Sequence, residues 1–271
     1  MQQHEAMERA FNHVLITRFN IDIAYAAPGR GIEDAWLRDR IHVFDRLTAP
    51  SIRSQTGRLD AWLVFLNAKS PEWFRSAMEA REDFTPVWID GPLLDGRIAA
   101  ELSALGYADK EWLITTRVDN DDALSQDFIR AVQDQFARQD RVFIEFPRGL
   151  EYANGDYFLK TWRSNPFLSL IERTAGGIDT VIYRPHPEVR RAEPTLTRWD
   201  RDMWLQNSHP FSTTSSTVRN ARPVLRSGRP AGIICDWNDD GGDLKRRVLI
   251  AVKSAPSEAA RTVSRAIRRV D

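Results

Sequence analysis

The sequence predicts an α/β fold: a mostly parallel sheet flanked by helices, followed by a smaller, irregular half. Three observations predict it. Short apolar runs of strand length alternate with helix-patterned stretches as far as Val118, which is the signature of crossover connections. Polar residues follow directly on those apolar runs. Beyond about residue 185 the patterning gives way to proline, arginine, serine and threonine.

Residues 13–19 (HVLITRF) read as the first strand, ended by Asn20 and Asp22. From about residue 33 to 54, Trp36, Ile41, Phe44 and Leu47 keep helical spacing, and Pro50 is expected to break the run in two. Residues 61–66 (AWLVFL) form a second buried strand. Ser70, Pro71 and Glu72 then start a helix as N-cap, first-turn proline and acid near the positive helix end. Residues 86–89 are a third strand, 97–105 a helix stopped by Gly106, and 112–118 a fourth strand. In the second half a helix is expected over 125–138 and a strand over 141–146. A hairpin follows over 152–162, turning at Asn154-Gly155, then a short helix over 167–172 and a strand over 180–183. Residues 185–230 read as loops that close over a ligand or simply cover the surface. Trp36, Trp62, Trp88 and Trp112 sit in apolar patterns and read as core. Trp162, Trp199, Trp204 and Trp237 belong to the irregular half, where an aromatic face could also stack on a sugar ring.

Composition narrows the function classes. The formal net charge of the 271 residues is zero, which removes the usual electrostatic argument for a nucleic-acid partner. The single cysteine, Cys235, excludes an internal disulfide framework and a cysteine-based zinc site. No basic, then apolar, N-terminal segment is visible, and no apolar run approaches the roughly 20 residues that span a bilayer. A soluble cytoplasmic protein is the expectation.

The most informative stretch is the end of the fourth strand, where Thr115-Thr116-Arg117-Val118 runs into Asp119-Asn120-Asp121-Asp122. Acids this close repel one another and are costly to desolvate. A divalent cation among them would resolve the conflict, since hard cations prefer carboxylate oxygens. The plainer reading is an Asx-rich turn leading into a helix capped by Ser125. In parallel sheets ligands bind beyond the carboxyl ends of the strands. Arg18, Asn67 and Asp119 to Asp122 all lie at or just past such ends, on one rim.

The order of the pieces resembles the GT-A glycosyltransferases. The segment LTAPSIRSQT (47–56), followed by 61–70, is similar to their helix–Ser–Gln–Thr–strand–Ser signature, and RVDNDDAL (117–124) to their acidic strand end. More narrowly, HVLITRFN, PSIRSQT, TTRVDNDDALS, FPRG and SNPFLSLIE together resemble a bacterial rhamnosyltransferase family over about residues 12–210. Two features depart from the pattern: Leu66-Asn67-Ala68-Lys69-Ser70 stands where an acidic pair usually meets the base, and the later Glu-Asp pair survives only as the segment from Trp199 to Trp204.

The resemblance implies a GT-A-like (Rossmann-like) fold in one glycosyltransferase domain. Residues 12–124 would be the nucleotide-sugar half, 125–230 the acceptor half and 231–271 a C-terminal extension. It implies a nucleotide-sugar donor, by family name dTDP-L-rhamnose, a glycan or glycolipid acceptor, and Mn²⁺ or Mg²⁺. Asp121 would hold the cation, with Asp119 reaching it directly, through water or through the ribose, and His209 completing the shell; a surface-loop histidine is the alternative. Asp122 would cap the next helix or buttress the loop. Thr17, Arg18, Asn67 and Arg117 would meet the donor, although Arg117 could equally be a structural partner of Asp119 or Asp121. An inverting mechanism needs a general base, for which Asp200 stands first, then Asp202 and Glu172. Each has an ordinary surface role as its alternative. Residues 257–270 pattern as a basic amphipathic helix that would suit an anionic membrane, or a terminal helix docked on its own domain. Two other readings share the same rim: a non-catalytic nucleotide-sugar or glycan-binding protein, and a metal-dependent phosphoesterase.

Overall fold

The computed structural model describes residues 9–21, 30–93, 96–153, 156–199, 201–208, 222–223 and 232–235. The amphipathic segment 257–270, Trp237 and the Asn154-Gly155 turn lie outside them.

Four parallel strands build the first half as expected: β1 (Phe11–Arg18), β2 (Ala61–Asn67), β3 (Thr85–Ile89) and β4 (Trp112–Arg117), in the spatial order β3-β2-β1-β4. Helices cover both faces, so β1 and β4 are buried almost throughout, and such strands read as continuous apolar runs rather than alternating ones. Between β1 and β2 lie α1 (Asp34–Val43), a π-helical turn at Phe44–Thr48 and α2 (Ala49–Arg53). Pro50 therefore does not break the run. It sits in the first turn of α2, where a missing N–H is tolerated, and the irregularity falls one turn earlier as the π turn. The next two helices are α3 (Glu72–Glu79) and α4 (Arg97–Ala104). Pro71, not Ser70, is the N-cap of α3, and the Ser70 hydroxyl instead accepts the Asn20 side-chain amide at 2.8 Å.

The short β5 (Ala123–Leu124) leads into α5 (Phe128–Gln133), which is shorter than expected and has Asp127, not Ser125, at its N-cap. Then come β6 (Val142–Glu145), β7 (Arg148–Ala153), β8 (Asp156–Thr161), β9 (Ser169–Arg173), α6 (His186–Ala192), β10 (Thr195–Thr197), β11 (Trp204–Ser208) and β12 (Arg222–Pro223). Among the described residues these form a seven-stranded sheet, β10-β6-β9-β4-β1-β2-β3, and a five-stranded one, β12-β8-β7-β11-β5. The hairpin over 152–162 is present as β7 and β8.

Further expectations fail in the second half. Residues 167–172 are not a helix: most of them form β9, antiparallel to both β4 and β6. A run that short has no decisive period, and the open edge of β4 supplies the pairing. Residues 180–183 are a turn, not a strand, and begin at Thr180 with φ +70°. Among the described residues of 185–230, where loops were expected, α6, β10, β11 and β12 are regular elements.

The two sheets meet at Trp204, which is fully buried and stacks on Phe167 at 4.8 Å with 8° between the rings. Gly149 faces that indole so closely that an added Cβ would lie 2.1 Å from it, so no other residue fits there. Trp62 and Trp112 are core as expected. Trp88 is only half-buried at the core's edge, and Trp199 is 51% exposed. No helix among the described residues is long and apolar enough to cross a membrane.

Candidate functional site

At the carboxyl ends of β1 and β4 opens a cleft of about 580 Å³. Parallel pairing sets Ile16 opposite Arg117, so the two strand ends are side by side, and the chain leaving β4 turns through the acidic segment there. Asn120 ties that turn to β1 by donating its amide to the Phe19 carbonyl at 2.9 Å. Arg18, Arg117, Asp119, Asn120, Asp121 and Asp122 all line the cleft, as the sequence led one to expect.

The three acids differ in their surroundings. Asp119 lies 3.1 Å from Arg117 and 3.6 Å from Arg18. Burial works to raise its pKa, but the two guanidiniums prevail and hold the carboxyl below its usual range. Asp121 is gripped at Oδ2 by Arg40, whose guanidinium is almost fully buried against Asn120 (3.3 Å) and the Trp36 ring (4.8 Å). Asp122 is buried and accepts the Asn207 backbone N–H at 2.9 Å. Its burial, together with Asp121 and Asp119, pushes its pKa well up. Asp122 thus buttresses the loop against β11 and does not cap a helix.

The opposite wall is made by residues 179–187 with Trp162 and Pro166. Two buried glutamates hold this wall from behind, each anchoring a residue with left-handed backbone. Glu172 accepts the N–H groups of Asp179 (2.8 Å) and Thr180 (3.0 Å), and Glu145 accepts that of Ser164 (2.7 Å), whose φ is +51°. Burial raises the Glu172 carboxyl to about 7, against the two N–H donors that favour its charged form.

Several expected site residues are turned elsewhere. The Thr17 hydroxyl accepts the Trp62 indole N–H at 3.0 Å inside the core. Asn67 is buried, its N–H donating to Asn20 and its Oδ1 accepting the Lys69 N–H at 2.9 Å. Glu172 stands behind the wall, and Asp202 pairs with Arg148 at 3.2 Å away from the cleft. None of these four lines the cleft. Asp200 and His209 lie outside the described residues.

Other cleft residues escaped the sequence reading. Arg40 follows Trp36 by one helical turn, so a cation beside an aromatic on one helix face was the available signal. His186 sits between Pro185 and Pro187, and its Nδ1 lies 2.5 Å from the Ser164 carbonyl. Burial lowers its pKa, so the ring is neutral at pH 7.

Among the described residues no group of three or more His, Cys, Asp or Glu side chains could hold a metal by itself. The donors present still suit one type of cation. Mg²⁺-like ions keep several waters and bind through one or two carboxylates plus the phosphates of a substrate. Asp119 and Asp121, both on the cleft surface, offer such a pair.

The family model described as "Putative rhamnosyl transferase" matches residues 12–221. No curated protein matches the chain. Among solved structures, S. aureus TarS 1-349 in complex with UDP-GlcNAc is similar at 10% identity and TM-score 0.42, over 74% of this chain and 60% of that one. The same fragment in complex with UDP gives 14% identity and TM-score 0.40, over 74% and 61%. HddC from Yersinia pseudotuberculosis gives 10% identity and TM-score 0.37, over 72% and 93%. The chain therefore spans less than two thirds of the TarS fragment.

Proposed function

The chain belongs to the rhamnosyl transferase family, and from that premise we propose that it moves a sugar, rhamnose by the family description, from a nucleoside diphosphate to a glycan or glycolipid acceptor. One observation supports the reading most directly: two arginines and an acidic turn from adjacent parallel strand ends share a single cleft. Arg18 and Arg117 would meet the diphosphate, with Arg117 able to exchange its contact with Asp119 for a bidentate grip on phosphate. Asp121 and Asp119 would hold Mn²⁺ or Mg²⁺, which when bound neutralises charge on the departing diphosphate. Arg40 fixes the orientation of Asp121, and Asp122 keeps the turn in place from behind. Trp36, Trp162 and Tyr183 also line the cleft, each with a cation over its ring: Arg40 on Trp36, Lys160 on Trp162, and Arg141 and Arg184 on Tyr183.

The test is a thermal-shift screen of nucleotide sugars with and without Mn²⁺, followed by turnover of whichever donor binds. The expected result is a shift for one donor, dTDP-L-rhamnose first, that depends on the metal. A donor shift without any release of nucleoside diphosphate would favour a non-catalytic binding protein, and no shift for any donor would overturn the reading.

A further inference from the structure

We infer that His186 is the general base that takes the proton from the acceptor hydroxyl, a conclusion that rests on the glycosyl-transfer reading above. Of the expected carboxylates, Asp200 lies outside the described residues, Asp202 and Glu172 stand outside the cleft, and the cleft's own acids are otherwise engaged. Asp119 faces Arg117 and Arg18, Asp121 faces Arg40, Asp122 accepts a backbone N–H, and Asp179 is paired with Arg141.

His186 is built differently. A carbonyl oxygen can only accept, so the 2.5 Å contact with Ser164 places the ring proton on Nδ1 and, in the neutral ring, the lone pair on Nε2. That carbonyl is itself held in place. Ser164 adopts φ +51° and donates its N–H to Glu145, a fully buried carboxylate that also accepts the Thr197 hydroxyl at 2.8 Å. Asn165 secures the same turn by donating to the Phe146 and Trp162 carbonyls, each at 2.9 Å. Left-handed backbone at a non-glycine residue costs about 1–3 kcal/mol and persists only where the surroundings over-determine it. Trp162 meets the imidazole edge-on with 5.6 Å between centroids, which orients the ring. Tautomer and orientation are both set, and His186 lines the same cleft as Arg18, Arg117 and Asp119.

The step balances without a co-reactant. The acceptor oxygen bonds to the anomeric carbon while the bond from that carbon to the diphosphate oxygen breaks, its electron pair leaving with the diphosphate. The hydroxyl proton passes to Nε2 and then from the imidazolium to water. A single displacement of this kind inverts the anomeric configuration.

The experiment uses the full chain, the donor with the largest thermal shift, and water as acceptor, and it follows release of nucleoside diphosphate and the anomer of the released sugar. His186→Asn keeps a donor for the Ser164 carbonyl but has no base. It should keep the donor-induced thermal shift and lose about 10²–10⁴-fold in turnover. Added imidazole should restore part of the activity of His186→Ala, and the sugar should be released inverted. Turnover of His186→Asn within about threefold of the wild type, release with retention, or a loss that imidazole does not restore would overturn the inference and leave glycosyl transfer standing. So would loss of the donor shift in both variants. Absence of turnover in the wild type with every donor would overturn the glycosyl-transfer reading and this inference together.

Discussion

Replacing Asp121 by alanine is the obvious test of the acidic turn, and its first effect should be on stability. Arg40 retains 6% of its side-chain exposure and Asp121 15%, so the pair is largely withdrawn from water. Removing one partner of a buried pair costs about 3–5 kcal/mol, because the remaining charge loses its nearest counter-ion while staying desolvated. The Asn120 side-chain Oδ1 at 3.3 Å and the Trp36 ring at 4.8 Å keep part of the Arg40 interaction, which puts the cost near the lower end, about 3 kcal/mol. That is a large share of the roughly 5–15 kcal/mol that holds a domain together. At about 2–4 °C per kcal/mol for a domain of this size, Asp121→Ala should melt about 6–12 °C below the wild type by calorimetry. Asp121→Asn, which keeps an acceptor for Arg40, should lose less than half as much. The double variant Arg40→Met/Asp121→Leu removes both charges and should recover most of the loss. A melting temperature for Asp121→Ala within about 2 °C of the wild type would refute the argument that this pair is structural. Asp121→Asn is therefore the cleaner variant for testing metal and donor binding.

Three further outcomes follow from the same geometry. Glu172 titrates at about 7 in the fold against 4.5 for the free group, so its stabilising contribution is complete below about 4.5 and lost as the pH rises through 7. Wild-type stability should fall by roughly 3 kcal/mol from this group between pH 4.5 and 8, and urea titrations of Glu172→Gln should show that slope removed. Gly149→Ala would push a methyl to 2.1 Å from the buried Trp204 ring and should destabilise by about 2–3 kcal/mol; unchanged stability would mean that the contact between β7 and β11 gives way easily. Because Asp119 and Asp121 already face arginines, Mn²⁺ alone should shift the melting temperature by less than about 1 °C. Mn²⁺ with a nucleoside diphosphate should shift it by several degrees, and an equal shift from the metal alone would contradict this ordering.

The parts legible in the sequence share a physical cause. Strands buried on both faces need apolar residues at every position, so β1, β2 and β4 stand out as unbroken runs. Parallel strands joined by crossovers end on the same side, so Arg18, Asn67 and the acidic turn could be placed on one rim from order alone. The short apolar run that became β9 carried no such signal, since five residues fit a helix turn as well as a strand, and only the unpaired edges of β4 and β6 decide the matter. Thr17 and Asn67 show a finer limit: a strand-end position says nothing of which face the side chain takes, and both faced inward.

By itself, then, the sequence determined the parallel half-sheet and the acidic turn at its rim, because both arise from local patterning. The tertiary structure alone decided what those acids are and what faces them. Arg40 reaches Asp121 across 81 positions, Asn207 reaches Asp122 across 85, and the Ser164 carbonyl that sets the His186 tautomer stands 22 residues from it. The charge state of a buried carboxylate and the tautomer of a buried imidazole depend on burial and on partners brought in by folding, and neither is written in the residues beside them.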